Sequence, residues 1–167
     1  MLLIDRDKDY IIEDFTFKNY FKLSIEEKRE VLKMRNDISV RNMMTNSDII
    51  SERDHFDFIE KLSKNDKNFY WTVNKKDQII GAVYINKYDL ESKEAFWGFF
   101  LNPELMGMGY GKKMLTATLK LFFEELGLKK IKAEVLKDNV KSLTLHYQFN
   151  FKVVKENSNN YELLLKI

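Results

Sequence analysis

The segment between Asn102 and Lys112 has glycine at positions 107, 109 and 111 and joins a β-rich run to a long helical pattern. Glycine lets the backbone approach a ligand closely, and the unpaired N–H groups at the start of a helix can hold a phosphate. These residues therefore predict a phosphate-binding loop. A flexible loop without a ligand is the alternative, because spaced glycines alone are a weak signal.

Two common nucleotide-binding motifs do not fit this loop. Lys113 stands where a Walker A loop has Ser or Thr after its Gly-Lys pair. A Rossmann fingerprint opens the first unit of a parallel sheet, whereas the runs before this loop are typical of an antiparallel meander. The predicted phosphate site therefore belongs to another fold.

The helices that hold the loop are located by capping residues and apolar periodicity. Ser24 and Ser51 are each followed three residues later by an acidic residue, which is the pattern of a helix N-terminus. Gly127 is suited to end the long helix after the loop. The predicted helices cover 24–36, 51–62, 109–126 and 139–149.

Strands are predicted where β-branched and aromatic residues cluster or alternate with polar ones. They cover 12–22, 69–74, 78–88, 94–101, 130–136, 151–156 and 161–167. The order β-α-α-β-β-β-α-β-α-β-β predicts an α/β (α+β) fold. We expect a single domain over 1–167, with a mixed, mostly antiparallel sheet of about seven strands flanked by about four helices.

Composition limits the possible functions. The chain is 44% hydrophobic and 32% charged, carries a formal net charge of +2 and has no cysteine. The small charge gives no reason to expect a nucleic-acid partner, and the lack of cysteine excludes disulfides, thiolate metal sites and a cysteine nucleophile. Residues 1–7 are too short an apolar run for a signal peptide, and no later run is long enough to span a membrane. We expect a cytoplasmic monomer or homodimer without a membrane partner.

The glycine loop resembles the pyrophosphate-binding loop of the GNAT N-acetyltransferases. That pattern is Gln or Arg, two residues, Gly, one residue, then Gly or Ala, and Met106, Gly109 and Gly111 occupy its positions. Met106 departs from the pattern, which removes one polar contact but keeps the backbone donors. The resemblance extends from Gln78 to the end of the chain.

This resemblance implies that acetyl-CoA is the co-substrate and that no metal is needed. A small-molecule amine would attack the thioester directly in a ternary complex, without an acyl-enzyme. An N–H near Phe100 would polarise the thioester carbonyl, while the same strand pairs with the pantetheine arm. The implied cofactor-binding residues are Phe99, Phe100, Leu101, Met106, Gly107, Met108, Gly109, Tyr110, Gly111, Lys112, Asn139 and Ser142.

The same resemblance implies the catalytic groups. Many members carry a Tyr seven residues after the Asn that precedes a helix, and this Tyr protonates the departing thiolate. Counted from Asn139, that position is His146, and Tyr147 follows it. Either could be the acid, or His146 could lie at the surface and Tyr147 in the core. Glu134 could accept the amine proton, or could be an ordinary strand residue paired with a Lys.

The first two helices resemble the nucleotide-sugar branch of the family. That branch acetylates the 4-amino group of a UDP-linked 4-amino-4,6-dideoxy-N-acetyl-altrosamine in pseudaminic acid synthesis. Arg and His can bind diphosphate and hydroxyl oxygens, while Met and aromatic rings suit a deoxy-sugar face. The implied acceptor residues are Arg35, Asn36, Met44 and His55, and Tyr84 and Trp97 either line the cleft or simply pack.

Two other functions remain open on the sequence. The ribosomal-protein N-terminal acetyltransferases also carry Arg-Asn after a helix, so a peptide acceptor is one alternative. The other is a non-catalytic sensor that binds acyl-CoA.

Overall fold

The computed structural model describes residues 4–167, so the first part of the apolar run at the N-terminus, residues 1–3, lies outside the described residues. The described chain forms one eight-stranded sheet in the order β1-β2-β3-β4-β5-β6-β8-β7. The strands are β1 (Tyr10–Ile12), β2 (Phe15–Asn19), β3 (Phe69–Lys75), β4 (Gln78–Asp89), β5 (Glu94–Leu101), β6 (Lys130–Leu136), β7 (Lys152–Glu156) and β8 (Asn160–Lys166). Among the described strands only β5 and β6 pair in parallel, which confirms the mixed, mostly antiparallel sheet.

The helices follow the predicted order, with one addition. They are α1 (Ile25–Asn36), α2 (Ile38–Arg41), α3 (Glu52–Leu62), α4 (Tyr110–Lys120) and α5 (Val140–Gln148). The hydroxyls of Ser24 and Ser51 accept the N–H groups of Glu27 and Asp54, each at 3.1 Å, so both predicted N-caps are confirmed. The single turn α2 was not predicted, and it begins where Asp37 caps Ser39.

The prediction of one strand over 12–22 is wrong. The chain turns at Glu13, whose φ of 55° is left-handed, and this turn makes a hairpin of β1 and β2. Residues Tyr20–Lys22 then form a 3₁₀ turn capped by the Asn19 side chain. The hairpin is the reason that the sheet has eight strands rather than about seven.

The long helix after the glycine loop also changes character before it ends. Beyond α4, residues Leu121–Glu125 form a π turn, in which the Leu126 N–H donates to the Leu121 carbonyl at 2.9 Å. Gly127 follows with a φ of 69° and ends the helix, as predicted.

Each face of the sheet covers its own hydrophobic core. The larger core lies on the face covered by α4 and α5, where Met114, Phe122 and Leu143 pack against Trp97 and Ile131. The smaller core lies on the face covered by α1, α2 and α3. We call these the α4 face and the α1 face. Among residues 4–167, no helix is long and apolar enough to cross a membrane.

Strands β5 and β6 separate before they end. Their parallel pairing runs from Glu94 with Lys130 to Phe96 with Lys132 and then stops. Because β5 continues to Leu101 and β6 to Leu136 without pairing with each other, the two strands open a V-shaped gap in the sheet.

Candidate active site

The gap between β5 and β6 opens into a cleft of about 1210 Å³. Residues 97–101 of β5 and 133–136 of β6 line its two sides. The glycine loop and the start of α5 line one end, while α1, α3 and residues 42–46 line the other. We call these the loop end and the helix end.

The hydrogen-bond phase of β5 decides which of its backbone groups face the cleft. The Asn102 N–H donates to the Ile80 carbonyl of β4 at 2.8 Å. Because backbone groups alternate sides along a strand, the N–H of Phe100 also points to β4. The N–H groups of Phe99 and Leu101 point the other way, into the gap.

The glycine loop is held open by its own backbone conformation. Gly107 and Gly109 have φ values of 79° and 81°, which glycine adopts without strain. Asn102 anchors the loop, since its amide donates to the Ile79 carbonyl and its oxygen accepts from the Glu104 N–H, each at 3.0 Å. A side chain at Gly111 would meet no protein atom within 4 Å, so the space beside it is available to a ligand.

The predicted cofactor residues mostly gather at the loop end. Gly109 precedes α4 without any side-chain cap, so the first N–H groups of this helix are unpaired. Asn139 caps α5 by accepting the Ser142 N–H at 3.1 Å. Met106, Gly107, Gly109, Gly111, Lys112, Asn139 and Ser142 line the cleft with residues 99–101, whereas Met108 and Tyr110 do not.

Glu134 lies on the β6 side of the cleft and is exposed to it. Its neighbours Ala133 and Val135 belong to the core of the α4 face, so the Glu134 side chain projects from the α1 face. Within residues 4–167 no Lys or Arg makes a salt bridge with it, and its cross-strand partner is Glu162. The carboxylate is therefore able to accept a proton from a ligand bound at the helix end of the cleft.

His146 is 3% exposed and faces the cleft from α5. Its Nε2 accepts the indole N–H of Trp97 at 3.0 Å, and its Nδ1 lies 2.7 Å from the Ser142 carbonyl. These bonds use the one donor and the one acceptor of a neutral imidazole. Burial lowers the pKa of His146, which also favours the neutral ring.

Tyr147 lies elsewhere. Its side chain is 50% exposed and does not line the cleft. The two candidate acids therefore point in different directions from α5, and only His146 is turned towards the gap.

Aromatic rings line the helix end. Tyr84 of β4 packs on Tyr70 of β3 with ring centroids 4.5 Å apart, and Tyr70 in turn contacts Tyr20 and Phe58 at 5.4 and 5.0 Å. Burial raises the pKa of all three tyrosines, so their hydroxyls stay protonated. The Tyr84 hydroxyl lies 3.9 Å from the sulfur of Met44.

Tyr20, Phe58, Tyr70 and Asn86 also line the cleft, and the sequence did not single them out. Counting residues back from the short turn between the predicted strands 69–74 and 78–88 would not have found Tyr70, because a register shift between Val73 and Asn74 sets its pairing with Tyr84. Tyr20 was missed because it lies at the end of a strand whose limits were wrongly predicted.

Arg35 reaches from α1 into this end of the cleft. Its Nη2 donates to the Asn46 carbonyl at 2.7 Å, while its Nη1 is buried and has no hydrogen-bond partner among residues 4–167. Burial lowers the pKa of this guanidinium from its ordinary value, but the group remains charged at neutral pH. The Arg35 side chain as a whole is half-buried, and a cation with a spare donor is suited to an anionic or strongly polar ligand.

The predicted acceptor residues Asn36 and His55, together with Arg41, hold the helices and the loop between them. Asn36 does not line the cleft, and its side chain makes two bonds to the backbone of Ile50, at 2.8 and 2.9 Å. His55 lines the cleft, but its Nε2 bonds the Lys28 carbonyl at 2.9 Å and so ties α3 to α1. Arg41 binds the carbonyls of Asn36 and Ser47, both at 2.9 Å.

The charges that line the cleft are mostly positive. Arg35, Lys112 and Lys141 are cationic, and Glu134 is the only carboxylate in the lining formed by the described residues. The cleft is therefore suited to a ligand with several negative charges. Groups of three or more side chains able to bind a metal ion do not occur within residues 4–167.

Comparison with known proteins agrees with this arrangement. Residues 22–152 match the model of the acetyltransferase (GNAT) domain. The acetyltransferase PseH of Campylobacter jejuni is 31% identical over 150 residues, which are 89% of this chain and 92% of that protein.

Two solved structures extend the comparison. The crystal structure of C. jejuni PseH in complex with acetyl coenzyme A matches with a TM-score of 0.75 and 26% identity, covering 91% of this chain and 98% of that one. Spermidine N-acetyltransferase from Vibrio cholerae, in complex with CoA and spermine, has a TM-score of 0.79 at 16% identity. It covers 92% of this chain and 95% of its own, and at that identity it shows the fold alone.

Proposed function

Since the chain belongs to the GNAT acetyltransferase family and is an acetyl-CoA-dependent N-acetyltransferase, we propose that it acetylates the 4-amino group of a UDP-linked amino-dideoxy sugar. This is the acceptor implied by the resemblance to the enzymes of pseudaminic acid synthesis. The observation that carries the proposal is the spare Nη1 of Arg35, buried beside the tyrosines at the helix end.

The charge of the cleft separates this acceptor from polyamines. A UDP-sugar brings a diphosphate, which suits Arg35 and leaves the amine of the sugar for Glu134. Lys112 and Lys141 lie at the loop end, so the acceptor meets one cation, Arg35, and one carboxylate, Glu134, and a polyamine would bring several positive charges to a single carboxylate. The arrangement therefore favours an acceptor that is anionic apart from its reacting amine.

The aromatic rings of the helix end suit the rest of such an acceptor. The faces of Tyr20, Tyr70 and Phe58 can pack against a deoxy-sugar or a base, and their packing against each other leaves little freedom to lose on binding. Met44, next to the Tyr84 hydroxyl, adds a soft apolar surface that adapts to the ring.

Acetyl-CoA supplies the acetyl group as a thioester, and residues at the loop end fit its other parts. The unpaired N–H groups at the start of α4, with the open space beside Gly109 and Gly111, suit a pyrophosphate. The free edge of β5 suits the amides of the pantetheine arm, since strand-like pairing satisfies its unused donors and acceptors.

For the transfer itself, the backbone phase favours the N–H of Phe99 or Leu101 over that of Phe100 as the donor to the thioester carbonyl. Glu134 accepts a proton from the amine, directly or through a water, as the C–N bond forms. The C–S bond then breaks and the sulfur leaves with the electron pair.

The departing sulfur needs no acid from α5. Of the two candidates, Tyr147 lies outside the cleft and His146 has both ring nitrogens committed to other groups. Thiols are weak acids, with a pKa of about 8.5 for the cysteine side chain, so the sulfur can leave as a thiolate and water in the open cleft can protonate it.

Binding of UDP tests this acceptor without any turnover. We expect UDP to raise the melting temperature of the protein and to compete with the acceptor rather than with acetyl-CoA. We expect Arg35→Ala to abolish the shift. Failure of millimolar UDP to bind, with acetyl-CoA binding intact, would contradict the nucleotide-sugar assignment.

A further inference from the structure

The hydrogen bond between Trp97 and His146 lies at the apex of the cleft. Phe96 makes the last backbone pair with β6, and Trp97 is the next residue along β5. Its indole N–H then bonds His146 at 3.0 Å. The tie between the two side chains thus begins where the tie between the two backbones stops.

His146 belongs to the other arm of the cleft. It lies on α5, which directly follows β6 and is capped by Asn139. The bond from Trp97 therefore joins the β5 arm to the β6–α5 arm. Strand β5 also carries the backbone groups of Phe99 and Leu101 that face the gap.

The surroundings hold both rings in one arrangement. Trp97 stacks on Phe151 with centroids 5.2 Å apart and planes 19° apart, and Phe99 and Phe151 contact the His146 ring at 5.8 and 4.9 Å. Nδ1 of His146 is held by the Ser142 carbonyl. Rotation of the imidazole would break both of its hydrogen bonds within a packed aromatic cluster.

We propose that His146 is a positioning residue, which accepts the Trp97 N–H and thereby fixes the free edge of β5 relative to α5. The backbone groups of this edge must keep a fixed position in order to pair with the amides of the pantetheine arm of acetyl-CoA. The role rests on acetyl transfer from acetyl-CoA and does not depend on which acceptor is used.

Protonation of His146 would remove this tie. The bond from Trp97 needs the lone pair on Nε2, which the imidazolium does not have. The side chains around the ring are Trp97 and Phe99 from β5, Phe151 before β7, and Ser142 from α5 itself, and none of them titrates near neutral pH. Lys132 and Glu134 of β6 project from the opposite face of the sheet.

Two substitutions at 146 separate positioning from acid catalysis. His146→Gln keeps an acceptor within reach of Trp97 but cannot titrate, whereas His146→Leu fills the space without an acceptor. We expect the Gln variant to keep acetyl-CoA KM within about twofold of the parent and to lose the acidic limb of the pH profile that belongs to His146. We expect the Leu variant to raise acetyl-CoA KM about tenfold, and Trp97→Phe to add little to it.

The opposite pattern would overturn the proposal. A general acid at His146 predicts that the Gln and Leu variants lose kcat equally with acetyl-CoA KM unchanged. Additive effects of His146→Leu and Trp97→Phe would show that the bond between them is not what matters.

A spectroscopic measurement does not rely on these variants being active. Nitrogen NMR of the labelled histidines reports which ring nitrogen carries the proton. We expect His146 with the proton on Nδ1 at neutral pH, and a change in the Trp97 indole N–H resonance as the ring titrates. A proton on Nε2, or a Trp97 indole N–H resonance that does not change as His146 titrates, would overturn the proposal.

Discussion

The ring of Tyr84 lies directly over the backbone of Gly98, so that a Cβ at Gly98 would overlap the phenol. This contact crosses from β4 to β5 at the cleft and brings the Tyr84 hydroxyl over the strand that faces the gap. Gly98→Ala should therefore push the ring into the helix end, lower the free energy of unfolding by about 1–3 kcal/mol and raise acceptor KM. Tyr84→Ala leaves a cavity and is itself destabilising, but with the phenol gone Gly98→Ala should cost little more, so the two substitutions should be less than additive; thermal unfolding and steady-state kinetics measure both effects.

Substitutions at glycine can separate ligand contact from backbone strain. Gly111 needs no special φ and its Cβ would meet no protein atom, so Gly111→Val should leave stability unchanged but weaken acetyl-CoA binding about tenfold or more. Gly127→Ala is the matched control: its φ of 69° should make it cost about 1–2 kcal/mol without changing acetyl-CoA affinity. Calorimetric titration measures the affinity, and unchanged binding by Gly111→Val would argue against the loop as the pyrophosphate site.

Glu134 and Glu162 face each other across β6 and β8 and form a matched pair for testing the base. Glu134→Gln should lower kcat about a hundredfold while acetyl-CoA still binds. Each substitution removes the same repulsion between like charges, so both variants should be as stable as the parent or slightly more so. An equal effect of Glu162→Gln on kcat would show that Glu134 has no special role.

Arg35 and Arg41 both bind carbonyls in the segment 42–51, but only Arg35 lines the cleft. Arg35→Ala should raise acceptor KM by roughly tenfold to a hundredfold, the value of a hydrogen bond to a charged group, and leave acetyl-CoA KM unchanged. Arg41→Ala loosens the same segment and should change acceptor KM little. If the two variants behave alike, the effect comes from the segment and not from the guanidinium in the cleft.

Acid should destabilise the protein through its two histidines, both of which are buried. Burial lowers the pKa of His55 and of His146, so the unfolded chain binds protons that the folded chain does not. The contribution of the two histidines to the free energy of unfolding should be fully present above about pH 7 and should be lost progressively as the pH drops below about 6.5. Carboxylates with a lowered pKa, such as Glu94, act only below about pH 4.5.

Unfolding with denaturant between pH 8 and pH 5 measures this dependence. The His55→Gln and His146→Gln variants, whose amides can replace one ring hydrogen bond each, should show a shallower decline than the parent. An unchanged slope would mean that neither histidine stays neutral in the folded protein.

Much of the fold could be predicted because its signals are local. Ser24 and Ser51 mark helix starts by themselves, and the order of strands and helices follows from periodicity over short runs. The β1–β2 hairpin was missed because its turn is made by Glu13 in a left-handed conformation, without the Gly or Asn that usually marks such a turn.

The site was harder to predict because it depends on contacts between distant residues. Nε2 of His146 is occupied by the indole N–H of Trp97, which lies 49 positions away. The bond between Asn102 and Ile80 shows which N–H groups of β5 face the gap. No local pattern reports either contact. The glycine loop could be recognised since its backbone conformation and its helix start lie within a few residues.

Release of free thiol from acetyl-CoA, with alternative acceptors side by side, tests the central claim most directly. The acceptors are the UDP-linked 4-amino-dideoxy sugar, a ribosomal-protein N-terminal peptide and spermidine. The charge of the cleft and the spare donor of Arg35 predict turnover with the sugar and none with the other two. Turnover with the peptide or spermidine but not with the sugar would contradict the proposed acceptor. Binding of acetyl-CoA without release of free thiol in any of the mixtures would contradict it as well.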